Sequence, residues 1–518
     1  MLLVALPLVF LIQSWDTVDV NLWNHLLATQ MSRLLFNSFV LACGVSIGVG
    51  ILGFTLAWIT TTFQFPGRRI FEWTLVLPFA IPAYVSAFVW TGLTDYSGFA
   101  STTLRTYLGF NEGIPSVRSL GGAIIIFTFA FYPYVFLMVR AALISQGEHI
   151  FEAARSLGES PRRFMWTVAL PMVRPALLLG ITLAVMETLA DFGAVSVLGV
   201  NTFTTAIYKA WYGFFSLQTA AQLASLLVLV IFIILLFEYS ARGRRIKQGM
   251  AAGRQPLHRI SLYGIRAGLA TGICFLVTLL GVIIPITQLM MWASRMFAEV
   301  WDARWSALIF KSLLLAGVGA FLVILCATAV AVVARFDRSR FTQFFVRFSL
   351  LGYALPGSIL AVGTMLLFIS LDHKLYELGI ARSVVLGSLG ALMLAYVVRF
   401  LVVGFGPVET ALSRIRPHIL EAGRALGVRR IPLFFSVILP MMVPGISIGM
   451  LLVFVDLLKE MPATLLLRPL GWDTLALKVY EYTSEGEWQR AAVPGLLLVA
   501  VGLLPVIWLV KRSGLGKK

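Results

Sequence analysis

Apolar stretches of about twenty residues recur along the whole chain, separated by short polar segments. Helices of about that length cross a hydrocarbon core roughly 30 Å thick. Barrel-type alternation of apolar and polar residues is not seen, and lipid tolerates only helices and closed barrels. The pattern predicts an all-α integral membrane protein with spans near 36–60, 70–93, 121–144, 172–198, 220–239, 264–292, 309–333, 346–370, 384–406, 441–458 and 491–510.

The N-terminal sequence MLLVALPLVFLIQSW has the length of only part of a span. It aligns with TLLGVIIPITQLMMW, which places Pro7 opposite Pro285 and predicts a shortened first helix. A cleaved signal peptide is the alternative, but no basic segment precedes the apolar run and no small-residue cleavage pair follows it. With this helix, about twelve spans form two homologous six-helix halves.

The distribution of charge predicts the orientation. Hydrophobic residues make up 59% of the chain, charged residues 13%, and the net charge is +17. The arginines and lysines lie mostly in alternate loops and at the C-terminus, so the positive-inside rule places these loops and the C-terminus in the cytoplasm. Because the charge follows the loops, it does not indicate binding of nucleic acid.

One polar, basic segment occurs twice. Residues 152–175 read EAARSLGESPRRFMWTVALPMVRP, and residues 421–444 read EAGRALGVRRIPLFFSVILPMMVP, at an offset of 269 residues. In each copy a helix is expected to end at Gly158 or Gly427, and a second amphipathic stretch is expected to close at Pro171 or Pro440, where a new helix begins. Two matched copies favour a docking surface for a partner protein over an interfacial helix resting on lipid headgroups.

These segments resemble the EAA loop of type I ABC-transporter permeases, and Gly423 in place of the second alanine is the one departure. The resemblance implies docking on the dimer of a separate ABC ATPase subunit. It also implies a periplasmic or extracellular solute-binding protein as a second partner, and a bacterial inner membrane as the location of this multi-pass protein. The coupling residues implied are Glu152, Ala153, Ala154, Gly158, Arg162, Phe164, Pro171, Glu421, Ala422, Gly427, Arg429, Phe434 and Pro440.

The same resemblance divides the chain into domains. The first permease half covers 1–240, with its core at about 36–240 and its EAA loop at about 146–171. A cytoplasmic linker covers 241–263. The second half covers 264–518, with its core at about 308–510 and its EAA loop at about 412–440.

Residues 186–227 and 455–497 are similar to fused two-domain permeases of ferric-iron import, above all in Lys-Glu-Met-Pro-Ala-Thr at 459–464 and Asp-Thr-Leu-Ala at 473–476. The resemblance implies ferric iron as the cargo. A cargo of thiamine, phosphonate or another small solute remains an alternative on the same architecture. An ion-coupled secondary transporter with duplicated halves is the alternative from another class.

Catalytic machinery is not expected in this chain. The C-terminal Gly514-Leu515-Gly516-Lys517-Lys518 lacks the Ser or Thr of a phosphate-binding loop, so the chain is expected to bind no cofactor and to leave ATP to the partner subunit. The cysteines and histidines have no metal-ligand spacing, and no metal site is expected.

Four carboxylates are related by the same 269-residue offset. Glu187 corresponds to Asp456, and Asp191 corresponds to Glu460. Each half has an i, i+4 pair, expected to project from one helix face and to line the translocation pathway, where oxygen ligands suit a hard cation. Helix capping or an ion pair within the fold is the structural alternative. A further matched pair, Pro82 and Pro356, is a candidate hinge within two spans.

Overall fold

The computed structural model describes residues 2–108, 115–145, 161–242, 259–302, 304–337, 339–350, 352, 355–379, 387–415, 418–419 and 430–512. In this part of the chain, nine helices are long and apolar enough to cross a membrane, and a bent pair at residues 68–107 makes a tenth. Helices Leu2–Gln13 and Trp488–Arg512 coincide with the two remaining predicted spans. The prediction of an all-α membrane protein is confirmed.

The helices up to the linker are α1 Leu2–Gln13, α2 Val20–Leu26, α3 Ser32–Thr62, α4 Arg68–Thr74, α5 Ala83–Thr94, α6 Phe99–Leu108, α7 Leu120–Ser145, α8 Pro161–Phe164, α9 Leu170–Ala190, α10 Gly193–Val197, α11 Phe203–Tyr212 and α12 Leu217–Arg242. Short 3₁₀ turns occur at Ser14–Asp16 and Leu77–Ala80. The π turn Leu27–Met31 joins α2 to α3, so residues Val20–Thr62 form one helix.

The helices after the linker are α13 Gly264–Thr278, α14 Ile284–Val300, α15 Arg304–Phe336, α16 Arg340–Leu350, α17 Gly357–Glu377, α18 Leu389–Ser413, α19 Arg430–Leu433, α20 Leu439–Lys459, α21 Pro462–Leu467, α22 Leu475–Ser484 and α23 Trp488–Arg512. The π turn Leu279–Ile283 joins α13 to α14. Strands β1, Phe63–Gln64, and β2, Ile260–Ser261, pair in parallel, which the sequence did not predict.

Contacts divide the chain into two compact units that do not follow the order of the sequence. Unit 1 contains Met1–Trp23, Ile207–Val228 and Trp301–Lys478. Its centre is formed by α15, α18 and α20, and α1 packs along α17, where a Cβ added to Gly363 would lie 2.6 Å from the carbonyl oxygen of Pro7. The N-terminal apolar segment is therefore a packed helix of this unit.

Unit 2 contains Asn24–Ala206, Leu229–Val300 and Val479–Lys518. Its centre is formed by α3, α7 and α9, with α14 and α23 packed together beside α5. Small residues allow these helices to approach closely, as is usual in membranes. A Cβ added to Gly180 would lie 2.7 Å from the Cα of Val135, so no larger residue fits on α9 at this crossing.

The two matched prolines start helices and do not bend them. Pro82 immediately precedes α5 and Pro356 immediately precedes α17, both with extended backbone angles. Residues Arg68–Ala80 and Ala83–Tyr107 meet at 92° at the first of these breaks. A proline hinge inside a continuous helix is therefore the wrong interpretation, because the helix ends before the proline and a new one begins after it.

Candidate functional site

The repeated segment is described from Pro161 in the first copy and from Arg430 in the second. Eight of the coupling residues lie outside the described residues: Glu152, Ala153, Ala154, Gly158, Glu421, Ala422, Gly427 and Arg429. For Arg162 only the helical backbone is described. The structure does describe the two stretches that lead from the repeated segments into the spans.

Each of these stretches continues into its span as one helix. In the first copy α8 passes through a π turn, Met165–Ala169, into α9, and in the second α19 passes through Phe434–Ile438 into α20. Regular α-helix does begin at Leu170 and Leu439, with Pro171 and Pro440 in its first turn as predicted, but it continues the preceding helix without a break. The wide π turn lies just before the proline and accommodates its ring, which would clash with the carbonyl four residues earlier in a regular α-helix.

Burial in the two stretches repeats residue for residue. Over 163–173 and 432–442, every position has the same class of exposure as its counterpart 269 residues away. The hydroxyl groups of Thr167 and Ser436, which correspond, each donate to the carbonyl oxygen four residues earlier, at 2.9 and 2.6 Å. The two segments are thus copies in three-dimensional structure as well as in sequence.

The buried member of each stretch is an anchor. Phe164 is 4% exposed and packs against Trp58, with ring centroids 6.2 Å apart, and its counterpart Leu433 is 5% exposed. Phe164 was expected to be a coupling residue, but its ring is not available at the surface because it fills the space beside α3. Phe434 is partly buried against the apolar core that includes Val398.

The exposed aromatic positions are Trp166 and Phe435, at 59% and 61% exposure. They too are separated by 269 residues, and neither was among the coupling residues selected from the sequence. The helical period could have identified them, since they lie two positions after the buried anchors and so on a different face. Pro171 and Pro440 are also exposed.

Two of the four matched carboxylates lie just beyond the ends of the spans. Helices α9 and α20 end at Ala190 and Lys459, and Asp191 and Glu460 are the first residues beyond them. Their ψ angles are extended, so the backbone leaves the helix after these residues. The shared face of each i, i+4 pair and its place in the pathway stay predictions.

Asp191 and Glu460 each bind the first turn of the short helix that follows. The Asp191 carboxylate accepts the backbone N–H of Ala194 at 2.6 Å. The Glu460 carboxylate accepts the N–H groups of Ala463 and Thr464, both at 3.0 Å. Carboxylates stabilise helix N-termini because they satisfy free N–H groups and oppose the helix dipole. Glu187 and Asp456 are half-buried on the last turns of their spans.

Glu460 also forms an ion pair that sequence patterns did not indicate. Its side chain is 1% exposed and lies 3.1 Å from Nη1 of Arg399 on α18. Gly357 makes room for the pair, since a Cβ at that position would overlap both charged groups. Arginine within an apolar span is costly unless it is paired, and Arg399 was the one available signal.

Among the described residues, no group of three His, Cys, Asp or Glu side chains converges in a way that could hold a metal ion. The geometry instead combines two features. Two matched segments are exposed, and two spans end at Asp191 and Glu460, whose carboxylates cap the short helices that follow. This arrangement suits a protein that moves a solute past helix ends and contacts a partner at both copies of one surface.

Comparison with known proteins decides the family. The profile of the family described as "Binding-protein-dependent transport system inner membrane component" matches residues 50–248 and again 324–514. The chain belongs to this family. Binding-protein-dependent transport system inner membrane components are ABC importer permeases, and the chain is accordingly a multi-pass membrane protein built from two copies of the permease domain.

Relatives of full and half length are known within this family of inner membrane components. The chain is 29% identical to the Fe(3+)-transport system permease protein FbpB 2 of Haemophilus influenzae, over 99% of this chain and 97% of that protein. It is 24% identical to the ferric transport system permease protein FbpB of Actinobacillus pleuropneumoniae, over 94% of this chain and 72% of that protein. The sulfate transport system permease protein CysT of Escherichia coli matches 47% of this chain and 90% of its own length, at 28% identity.

Proposed function

We propose that this chain is the permease of an ATP-driven importer for ferric iron, assembled with a separate ATPase dimer and a solute-binding protein. The single observation that carries the coupling role is the repeated burial pattern at 163–173 and 432–442. Two copies of one surface fit a partner that is itself a dimer, because each ATPase subunit then meets an equivalent segment.

Docking of the ATPase is assigned to the two EAA loops and to the stretches that follow them. Phe164 and Leu433 anchor these stretches to the spans, so force applied at the loop is transmitted into α9 and α20. ATP is hydrolysed on the partner subunit, and this chain binds no cofactor of its own. A secondary transporter needs no such paired surface, which favours the ATP-driven importer.

Replacement of Gly158 or Gly427 by proline tests docking. A proline at either position blocks the turn expected there, so recovery of the ATPase subunit with the purified permease should fall at least tenfold in the double variant. Gly268→Pro is unsuitable as a control because it would break α13, whereas Gly268→Ala places its Cβ in open space and should leave recovery unchanged. Normal ATPase recovery and normal transport-stimulated ATP hydrolysis in the double variant would contradict the docking assignment.

The cargo is assigned from similarity over the whole chain. Two relatives named as ferric or Fe(3+) permeases align with 94–99% of the chain, whereas the sulfate permease aligns with less than half of it. Fe³⁺ is a hard, highly charged ion, and the half-buried Glu187 and Asp456 supply oxygen groups of the kind it prefers. A sulfate carrier would gain nothing from them.

Uptake of radioactive ⁵⁵Fe³⁺ and of ³⁵S-sulfate by a deletion strain separates the two cargoes. The wild-type gene should restore iron uptake and leave sulfate uptake at the background of the empty vector. Restoration of sulfate uptake alone would refute the iron assignment while leaving the coupling proposal intact, since ATPase docking is measured separately.

A further inference from the structure

Three arginines surround one glutamate inside unit 2. The Glu72 side chain, 4% exposed, forms ion pairs with Arg68, with Nη2 of Arg140 at 3.2 Å and with Nη2 of Arg259 at 3.9 Å. Arg68 and Glu72 belong to α4, Arg140 to the end of α7, and Arg259 to the segment that follows the linker. The cluster thus joins three parts of the chain that are distant in sequence.

Within the part of the chain that the structure describes, the charges of this cluster do not balance. Three guanidinium groups face one carboxylate, which leaves two positive charges, and Arg68 and Arg140 are nine-tenths buried. Among the described residues, nothing accepts a hydrogen bond from the buried Nε of Arg140 or of Arg259. Uncompensated charge is expensive to remove from water, so the arrangement is stable only when a further anion completes it.

Backbone pairing fixes the position of the segment after the linker, and with it the position of Arg259 beside Glu72. Ile260 and Ser261 pair with Phe63 and Gln64, and the N–H of Leu262 donates to the carbonyl oxygen of Gln64 at 2.9 Å. The Gln64 side chain in turn accepts from Nε of Arg68 at 2.9 Å. The side chain of Arg259 is 35% exposed, so the cluster is accessible from outside the fold at this residue.

Exposed apolar side chains beside the cluster indicate the level of lipid headgroups. Ile70 and Trp73 of α4 are 57% and 36% exposed, and Tyr263 after β2 is 81% exposed. Tryptophan and tyrosine favour the membrane–water interface. The positive-inside rule assigns this end of the spans to the cytoplasm, where the leaflet is rich in anionic lipid.

The positions in the second half that correspond to Arg68, Glu72 and Arg140 do not repeat the cluster. Alignment of Pro82 with Pro356 places Thr342 and Val346 opposite Arg68 and Glu72, and Val346 is buried in an apolar core. The 269-residue offset places Glu409 opposite Arg140. A structural need common to both halves would have preserved the charges in both, so the cluster serves something that only one half requires.

We propose that Arg68, Arg140 and Arg259 form a binding site for a phosphate group that carries net negative charge. Arginine matches phosphate oxygens with several aligned N–H donors, and basic pockets between spans on the cytoplasmic side bind anionic headgroups. Both an anionic phospholipid and free phosphate have the required chemistry. The inference does not depend on the cargo or on the ATPase.

The test uses the full-length chain, purified, depleted of lipid and placed in phosphatidylcholine nanodiscs with or without a minor fraction of phosphatidylglycerol. Lipid retained by the protein is counted by native mass spectrometry, and thermal stability is measured with added inorganic phosphate in parallel. The variants are Arg259→Gln and Arg140→Gln. Arg69→Gln is the matched control, because Arg69 is an exposed neighbour on α4 and its loss changes the net charge equally.

Wild type and Arg69→Gln should retain phosphatidylglycerol about tenfold more strongly than Arg259→Gln. Stabilisation by inorganic phosphate alone, abolished by Arg259→Gln, would support the site with free phosphate as its ligand. The proposal would be overturned if Arg69→Gln lost as much bound phosphatidylglycerol as Arg259→Gln. It would also be overturned if the wild type bound no more phosphatidylglycerol or phosphate than Arg259→Gln. If Arg140→Gln does not fold, Arg259→Gln still decides, because Arg259 lies outside the spans.

Discussion

Removing one partner of the Arg399–Glu460 pair should strongly lower the free energy of unfolding of unit 1. Removing both partners should lower it by far less than the sum of the two single effects. Arg399→Met leaves the Glu460 carboxylate, 1% exposed, with its hydrogen-bond donors but without a counter-charge. Breaking a buried pair from one side costs about 3–5 kcal/mol, because an isolated buried charge remains.

The double variant Arg399→Met with Glu460→Gln removes both charges. The glutamine oxygen still accepts N–H groups at the start of α21, so the remaining cost is that of weaker hydrogen bonds, about 1–2 kcal/mol. Since each single variant costs about 3–5 kcal/mol and the double variant about 1–2, the double-mutant cycle should give a coupling energy of at least about 4 kcal/mol, above the range of about 0.5–3 that is usual for contacting residues.

The assay is chemical unfolding of the purified permease in mixed micelles, followed by tryptophan fluorescence for the wild type, both single variants and the double variant. The control cycle uses Arg304→Met and Asp302→Asn, an exposed pair at 2.7 Å, for which no measurable coupling is expected. Additive effects at Arg399 and Glu460, within about 0.5 kcal/mol, would refute the reasoning, since independent sites behave in that way.

Two further predictions concern the pathway and the orientation. Glu187→Gln with Asp456→Asn should slow ⁵⁵Fe³⁺ uptake without changing ATPase recovery or membrane level, because less negative charge then offsets the cation in a low-dielectric path; unchanged uptake would leave these residues as structure. Single cysteines tested with a membrane-impermeant reagent should report opposite sides of the membrane. Cytoplasmic labelling is expected at Ser160, Met250 and Lys518, periplasmic labelling at Ser97, Ser216 and Ser484, and periplasmic labelling of Ser160 would contradict the orientation.

Hydrophobic pattern and repetition were sufficient to predict the helices and the duplication. Each predicted span overlaps helical residues because lipid leaves the backbone few other choices, although the spans near 70–93, 172–198 and 346–370 each cross a helix end. The hydrophobic pattern did not show where a helix passes through a π turn and then continues. Leucine-proline pairs at 170–171 and 439–440 indicated new helices, but a π turn before each proline lets one helix continue.

The candidate site was predictable in its position and less so in its individual contacts. The 269-residue offset identified Asp191 and Glu460, yet their role as caps depends on helices ending one residue earlier. Phe164 is an anchor because Trp58, more than a hundred residues away in sequence, lies beside it. Arg399 and Gly357 belong to the Glu460 site through packing of three separate helices, and short-range patterns contain no information on such contacts.

The membership of α1 in unit 1 has a consequence for the order in which the protein forms during synthesis. About 340 residues separate Gln13 from Gly357, where the helix that packs against α1 begins. At roughly 5–20 residues per second, the ribosome needs about 20–70 s to deliver that partner. Unit 1 is complete only after residue 478 has been made, and unit 2 only after α23 has been made. The nascent chain therefore holds its first helix in the bilayer without its final neighbour while most of the protein is synthesised.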